Sequence, residues 1–308
     1  MLTSFFSKSR PINFILVAFY ILVFYLIFNF TNLFSPDFSI ILEETGILLV
    51  IVLSVFLVNF VSGRNELTGR NAFKTILFAG FICMFPEILR NNSVILANFF
   101  ILLALRRIIS LKSQRETNQK IFDATFWIFI ASLFYFWSVL FLFLVFFGVL
   151  VHVGHRFKNW LIPVIAFLTL LSIVTTGSLF FTDSFYTFST WFQGSNFDFT
   201  AYREPAVLIP VAFLFALMLW SSFFYVSVIQ KANATVKNSL FMILLMLVIS
   251  LAVAVFAPTK DSSELLFFFA PLAIIVTNYF QVSGDKWFKE ILLLVVILLP
   301  VLLWFLFY

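Results

Sequence analysis

Apolar runs of membrane length recur along the whole chain, separated by short polar loops. They cover residues 12–30, 45–61, 74–85, 93–105, 121–153, 160–181, 205–229, 240–257, 265–280 and 290–308. The runs are continuously apolar and do not alternate with period two, so they predict helices and exclude a barrel. Run 12–30 is longer than a secretory signal core and has no small-residue cleavage site after it, so it predicts a retained first helix. Run 74–85 is short and stops at Pro86, where a turn with Glu87 and Arg90 leads into the next helix.

The stretch 106–158 sets the topology. A basic loop (Arg106, Arg107, Lys112, Arg115, Lys120) precedes the run 121–153, and a second basic cluster (His155, Arg156, Lys158) follows it. As one helix that run would extend about 50 Å, whereas a hydrocarbon core of about 30 Å takes about 20 residues. Two helices of about 15 residues each are short but fit a tight bundle, with a turn near 135–138. Length leaves the choice open, and charge decides it. Read as a hairpin, the chain has about eleven helices with its N-terminus cytoplasmic. Then 16 of the 19 Lys and Arg residues are cytoplasmic, and only Arg90, Arg203 and Lys260 lie outside. Read as one helix, the chain has ten spans and the split falls to 12 against 7 of those 19 residues. Lys and Arg bias orients membrane proteins, so the hairpin is expected. Nine of the 14 acidic residues then also lie outside: Asp37, Glu43, Glu44, Glu87, Asp183, Asp198, Glu204, Asp261 and Glu264.

Composition agrees with this pattern. Of 308 residues 63% are hydrophobic and 11% charged, with mean hydropathy +1.10, against roughly 25% charged in soluble domains. The expected class is an all-α polytopic bundle, a single integral membrane domain over 1–308, in a bacterial inner membrane. The net charge of +5 follows from basic cytoplasmic loops and implies no nucleic-acid partner. The lone Cys83 cannot form an internal disulfide. No span carries a charge near its middle, and no Walker loop, GxSxG, HExxH or CxxC is present. Ion-coupled transport, ATP hydrolysis, zinc proteolysis and thiol redox chemistry are therefore disfavoured.

The candidate chemistry lies on the outer face. Asp37, Glu43 and Glu44 stand just outside the first two helices, as general base, as ligands of a divalent metal, or as solvated loop charges. Glu87 and Arg90 are spaced to pair on one helical turn, and a guanidinium such as that of Arg90 can grip a lipid phosphate in bidentate fashion. The aromatic loop before residue 205 carries Asp198, Arg203 and Glu204, a second substrate-binding candidate or an interfacial anchor. His152 and His155 share a helix face but lack a third metal ligand.

Two stretches carry a family resemblance. The segment Phe85-Pro-Glu-Ile-Leu-Arg-Asn-Asn-Ser-Val and the segment Phe122-Asp-Ala-Thr-Phe-Trp-Ile-Phe resemble the helix three to four region and the following hairpin of GT-C-type membrane glycosyltransferases. The resemblance covers roughly residues 30–158 and rests on hydropathy rhythm. The whole chain also resembles a group of uncharacterised polytopic inner-membrane proteins of Bacteroidota. The GT-C resemblance implies a polyprenyl-phosphate or other lipid-linked substrate at the outer leaflet. It implies Asp37 as base or metal ligand, with Glu43 and Glu44 as near alternatives. Arg90 or Arg203 would hold the phosphate, and Glu87, Asp198 and Glu204 would line the site. The chain departs from that family in its short first outer loop, in the missing paired acidic motif and in having no soluble outer domain. The competing expectation is a non-enzymatic membrane subunit or scaffold of a cell-envelope complex that binds other membrane proteins. A lipid or solute transporter comes third.

Overall fold

The computed structural model describes residues 2–185, 191–282, 284 and 286–307. Its regular elements are helices: α1 Leu2–Phe6, α2 Pro11–Phe28, α3 Phe30–Leu33, α4 Phe38–Arg64, α5 Phe73–Cys83, α6 Pro86–Arg90 and α7 Asn92–Ile109, then α8 Thr117–Phe134, α9 Leu142–Val153, α10 Phe157–Thr182, α11 Pro205–Lys231, α12 Ala234–Phe256, α13 Leu266–Gln281 and α14 Lys286–Phe307. Among the described residues nine helical segments are long and apolar enough to cross a membrane. The 18-residue α8 and the shorter apolar α5 lie beside these in the bundle. The protein is a multi-pass all-α membrane bundle.

Run 121–153 is a hairpin. α8 ends where Tyr135 adopts an extended backbone (φ −145°, ψ 103°), and a 3-10 turn, Phe136–Phe141, starts α9 in the return direction. Loops on either side of the bundle bond to loops on the same side, which fixes two ends. At the basic end the Lys112 ammonium donates to Asn65 O, Gln114 to His152 O, and Asn278 to Leu67 O. At the acidic end Asn29 donates to Leu89 O, Trp191 to Ser132 O, and Tyr202 to Glu264. The chain closes on itself at the basic end, where Leu2 N–H and the Thr3 hydroxyl donate to the Glu290 carboxylate.

Helix starts follow local chemistry. Pro11, Pro86 and Pro205 occupy the first helical turn, where no N–H is needed. Asp37 caps α4 and Asn91 caps α7 through side-chain oxygens. The cap at Asp37 moves a boundary: α4 begins at Phe38, not near residue 45, so Glu43 and Glu44 sit on its first turns instead of in a loop. Proline also occurs inside α13, at Pro271, which leaves the carbonyl of Phe267 without its helical donor. The Ser250 hydroxyl of α12 donates to that carbonyl at 2.9 Å.

Helices α5 and α13 form the centre, with every residue from Phe73 to Cys83 and from Leu266 to Phe280 buried. Phe81 and Phe85 meet Phe269 at 5.9 and 5.6 Å, and Phe73 meets Phe280 at 5.0 Å. α5 has 11 residues, about 16 Å of helix, against about 30 Å of hydrocarbon. Buried flanking segments with irregular backbone complete its passage, which is tolerated at membrane depth only inside protein. The outer helices turn large apolar side chains outward, Phe19, Phe180 and Phe223 among them, as a lipid-facing surface requires.

Candidate functional site

The acidic end holds two carboxylates taken out of water. Glu44 is 6% exposed, and its oxygens accept from the Tyr25 hydroxyl of α2 and from Asn32 at 3.0 Å. Glu264 is 0% exposed, in the 3-10 turn Ser263–Leu265 that opens α13. The Tyr202 hydroxyl donates to Glu264 Oε1 at 2.7 Å, and Oε2 has no partner among the described residues. Burial of an acceptor without a donor is costly, so such atoms are few in folded proteins and call for a reason.

The nearby α8–α9 turn holds further atoms of this kind. The hydroxyl of Tyr135, in the α8–α9 turn, is buried and unpartnered among the described residues, as are Ser138 Oγ and Trp137 Nε1. The Tyr135 ring packs on Phe267 at 5.4 Å, and Trp137 stacks on Phe256 at 5.3 Å, so the turn leans over the start of α13 and the end of α12. Both phenols are pushed to higher pKa. For Tyr135 burial is the main cause, followed by the charges of Glu264 and Asp261. For Tyr202 burial again leads, followed by the charge and hydrogen bond of Glu264. Both stay neutral hydrogen-bond donors at ordinary pH.

A polar chain fixes the surrounding turn. Asn91 donates to Ser263 Oγ at 3.0 Å, and that hydroxyl donates to Asp261 Oδ1 at 2.6 Å. Ser262 holds a left-handed backbone, φ 74°, which lets the turn fold back. The Lys260 ammonium donates to Val255 O at 2.8 Å and lies over the Phe199 ring at 5.0 Å. Burial lowers its pKa, with the nearby Glu264 charge opposing.

The residues expected from sequence share this end but not one chamber. Asp37 is exposed, and its Oδ1 accepts from the Ser39 N–H at 2.9 Å and hydroxyl at 2.8 Å. Glu43 accepts from Asn92 at 2.8 Å. Glu87 and Arg90 form the local pair at 3.2 Å, with the Arg90 guanidinium over Phe28 at 5.9 Å. Asp198 caps its own turn by accepting from Thr200 N–H, and Arg203 and Glu204 are exposed at the start of α11. No group of three metal-ligating side chains occurs among the described residues.

Sequence reasoning placed Glu264 on the outer face without singling it out, and missed Tyr135, Ser138 and Tyr202. Nothing local marks Glu264, because its partner Tyr202 is 62 residues away.

The profile of the "Family of unknown function (DUF6427)" matches residues 1–308. The chain belongs to this family. No curated protein and no solved structure matches it.

Proposed function

We propose that this protein transfers a group, a glycosyl unit in the first instance, from a lipid-linked phosphate donor at the acidic end of the bundle. That end faces the outer leaflet of a bacterial inner membrane. The supporting observation is Glu264 Oε2, a carboxylate oxygen kept from water and without a partner among the described residues. Glu264 acts as general base. Tyr202 holds Oε1 and orients the carboxylate, leaving Oε2 to take the proton of the attacking hydroxyl. The acceptor oxygen bonds to the transferred carbon as the bond from that carbon to the phosphate oxygen breaks, and the lipid phosphate leaves with the electron pair. In this reading neutral Tyr135, whose hydroxyl has no partner among the described residues, donates a hydrogen bond to the departing oxygen. Arg90 and Arg203, exposed at the same end, supply cations for the phosphate. Asp37, Glu43, Glu87, Asp198 and Glu204 border the approach.

The test compares lipid extracts of a strain lacking the gene with those of the complemented strain. The deletion is expected to accumulate a polyprenyl-phosphate-linked species, which the wild-type gene clears. Glu264→Gln at equal protein level should clear it at least about a hundredfold more slowly, the usual worth of a positioned base. An unchanged lipid-linked pool on deletion, or wild-type clearance by Glu264→Gln, overturns the reading. Full complementation by Glu264→Gln and by Asp37→Asn would favour the non-enzymatic scaffold.

A further inference from the structure

At the basic end, α4, α7 and α8 enclose a cavity of about 320 Å³ whose lining includes Arg64, Arg106, Arg107, Lys112, Lys120 and Ser110. Basic loops by themselves need no explanation beyond orientation in the membrane. A charge that serves only topology can simply extend into solvent. The two lysines are instead tied to the backbone around that space, while Arg64 and Arg106 are exposed at its edge. The Lys112 ammonium donates to Asn65 O at 3.4 Å, and the Lys120 ammonium to Ser110 O at 2.9 Å and Ser113 Oγ at 2.6 Å.

The guanidiniums of Arg64 and Arg106 converge from two helices onto one ring, at 5.6 and 5.2 Å from the centre of Phe60. Arg107 pairs with Asp123 at 3.0 Å, while Glu66 and Glu116 act on Lys112 and Lys120. Arg64 and Arg106 have no ion pair among the described residues. Ser110 lines the cavity, with its hydroxyl buried behind the wall and without a partner among the described residues. Two planar forks without an ion pair among the described residues, and two further ammonium groups, match the oxygens of a phosphate. The cavity sits at the helix ends, where phosphate headgroups of a bilayer lie, and basic recesses between membrane helices suit such headgroups.

We propose that this cavity binds a phosphate group, with Arg64 and Arg106 as the clamp on Phe60 and the ammonium groups of Lys112 and Lys120 beside them. The ligand is the phosphate of an anionic lipid or of a soluble phosphate compound. The site lies at the opposite end from Glu264, so either can fail without the other.

The experiment measures thermal midpoints of the purified protein in two arms. One places it in nanodiscs of phosphatidylcholine with or without phosphatidylglycerol, and the other titrates inorganic phosphate and pyrophosphate in detergent. A rise in midpoint in the first arm alone identifies a lipid headgroup, and a rise in the second identifies a soluble phosphate compound. Arg64→Ala with Arg106→Ala should weaken binding at least about tenfold in the responding arm, since both charge-assisted forks are lost. Lys237→Ala, which removes a cation at the same end but outside the cavity, should leave binding unchanged. If the double alanine variant does not fold, Arg64→Lys with Arg106→Lys keeps both charges but removes the forks, and the same loss is expected. No response in either arm, wild-type binding by the double variants, or equal loss from Lys237→Ala would overturn the site.

Discussion

Asp37 and Glu44 stand at the same end of one helix, yet one is a solvated cap and the other a buried acceptor. The bonds from Ser39 hold the Asp37 carboxyl below the usual carboxylate range, backbone N–H first. A depressed folded pKa means the cap contributes above the unfolded pKa and is lost as pH falls through the lower folded value. Asp37→Asn keeps a capping side chain and should leave the thermal midpoint nearly unchanged, whereas Asp37→Ala should lower it slightly at neutral pH but not in acid. If Asp37→Asn folds normally and abolishes function, Asp37 is the base after all and Glu264 is not. Glycine gives a second contrast at this scale. A Cβ at Gly80 would lie 2.5 Å from Val296 Cγ1 and 3.1 Å from its carbonyl oxygen, because α5 and α14 touch there. Gly80→Ala should cost about 1–3 kcal/mol as overpacking. Gly177→Ala in α10 meets nothing within 4 Å and should be neutral or stabilising by up to about 1 kcal/mol. Equal melting shifts for the two would contradict the close packing of α5.

Among the elements, the α8–α9 hairpin carries the topology. Its turn contains Ser138, which is fully buried and unsuited to chemical labelling, whereas Phe134 is exposed at the end of α8. Phe134→Cys and Lys158→Cys should react with a membrane-impermeant thiol reagent from opposite sides, with buried Cys83 silent. Labelling of both from one side would break the alternation. The hairpin was legible because Lys and Arg, read across all loops, record orientation even where run length is ambiguous. The start of α4 was less legible. Its acidic residues lower hydropathy, so the apolar window opened after Glu44, although Asp37 followed by Ser39 already carries the capping signal. The Glu264 chamber was not legible at all. Its burial comes from two segments remote in sequence, the Tyr135 turn and the Tyr202 turn, and a carboxylate in a polar loop looks the same whether a distant aromatic covers it or not.

For the molecule as a whole, burial is concentrated around α5 and α13 and falls off toward α10, which buries only 11% of its apolar window. Backbone amides of 73–83 and 266–281 should therefore exchange with deuterium only on global unfolding, and those of 157–182 in detergent at lower free energy. The reverse order would place the core elsewhere.

Helix α10 brings one more consequence. Its 26 residues measure about 39 Å, longer than a hydrocarbon layer of about 30 Å, and tilt, a kink at Pro163 or projection of its polar ends accommodates the difference. α10 packs along α8, whose end bears Ser132, the acceptor of Trp191, and then the Tyr135 turn over Glu264. A thicker bilayer would stand α10 more upright and shift that turn against the carboxylate. If Glu264 acts as proposed, turnover should change with acyl-chain length in reconstituted membranes even where headgroup composition is constant.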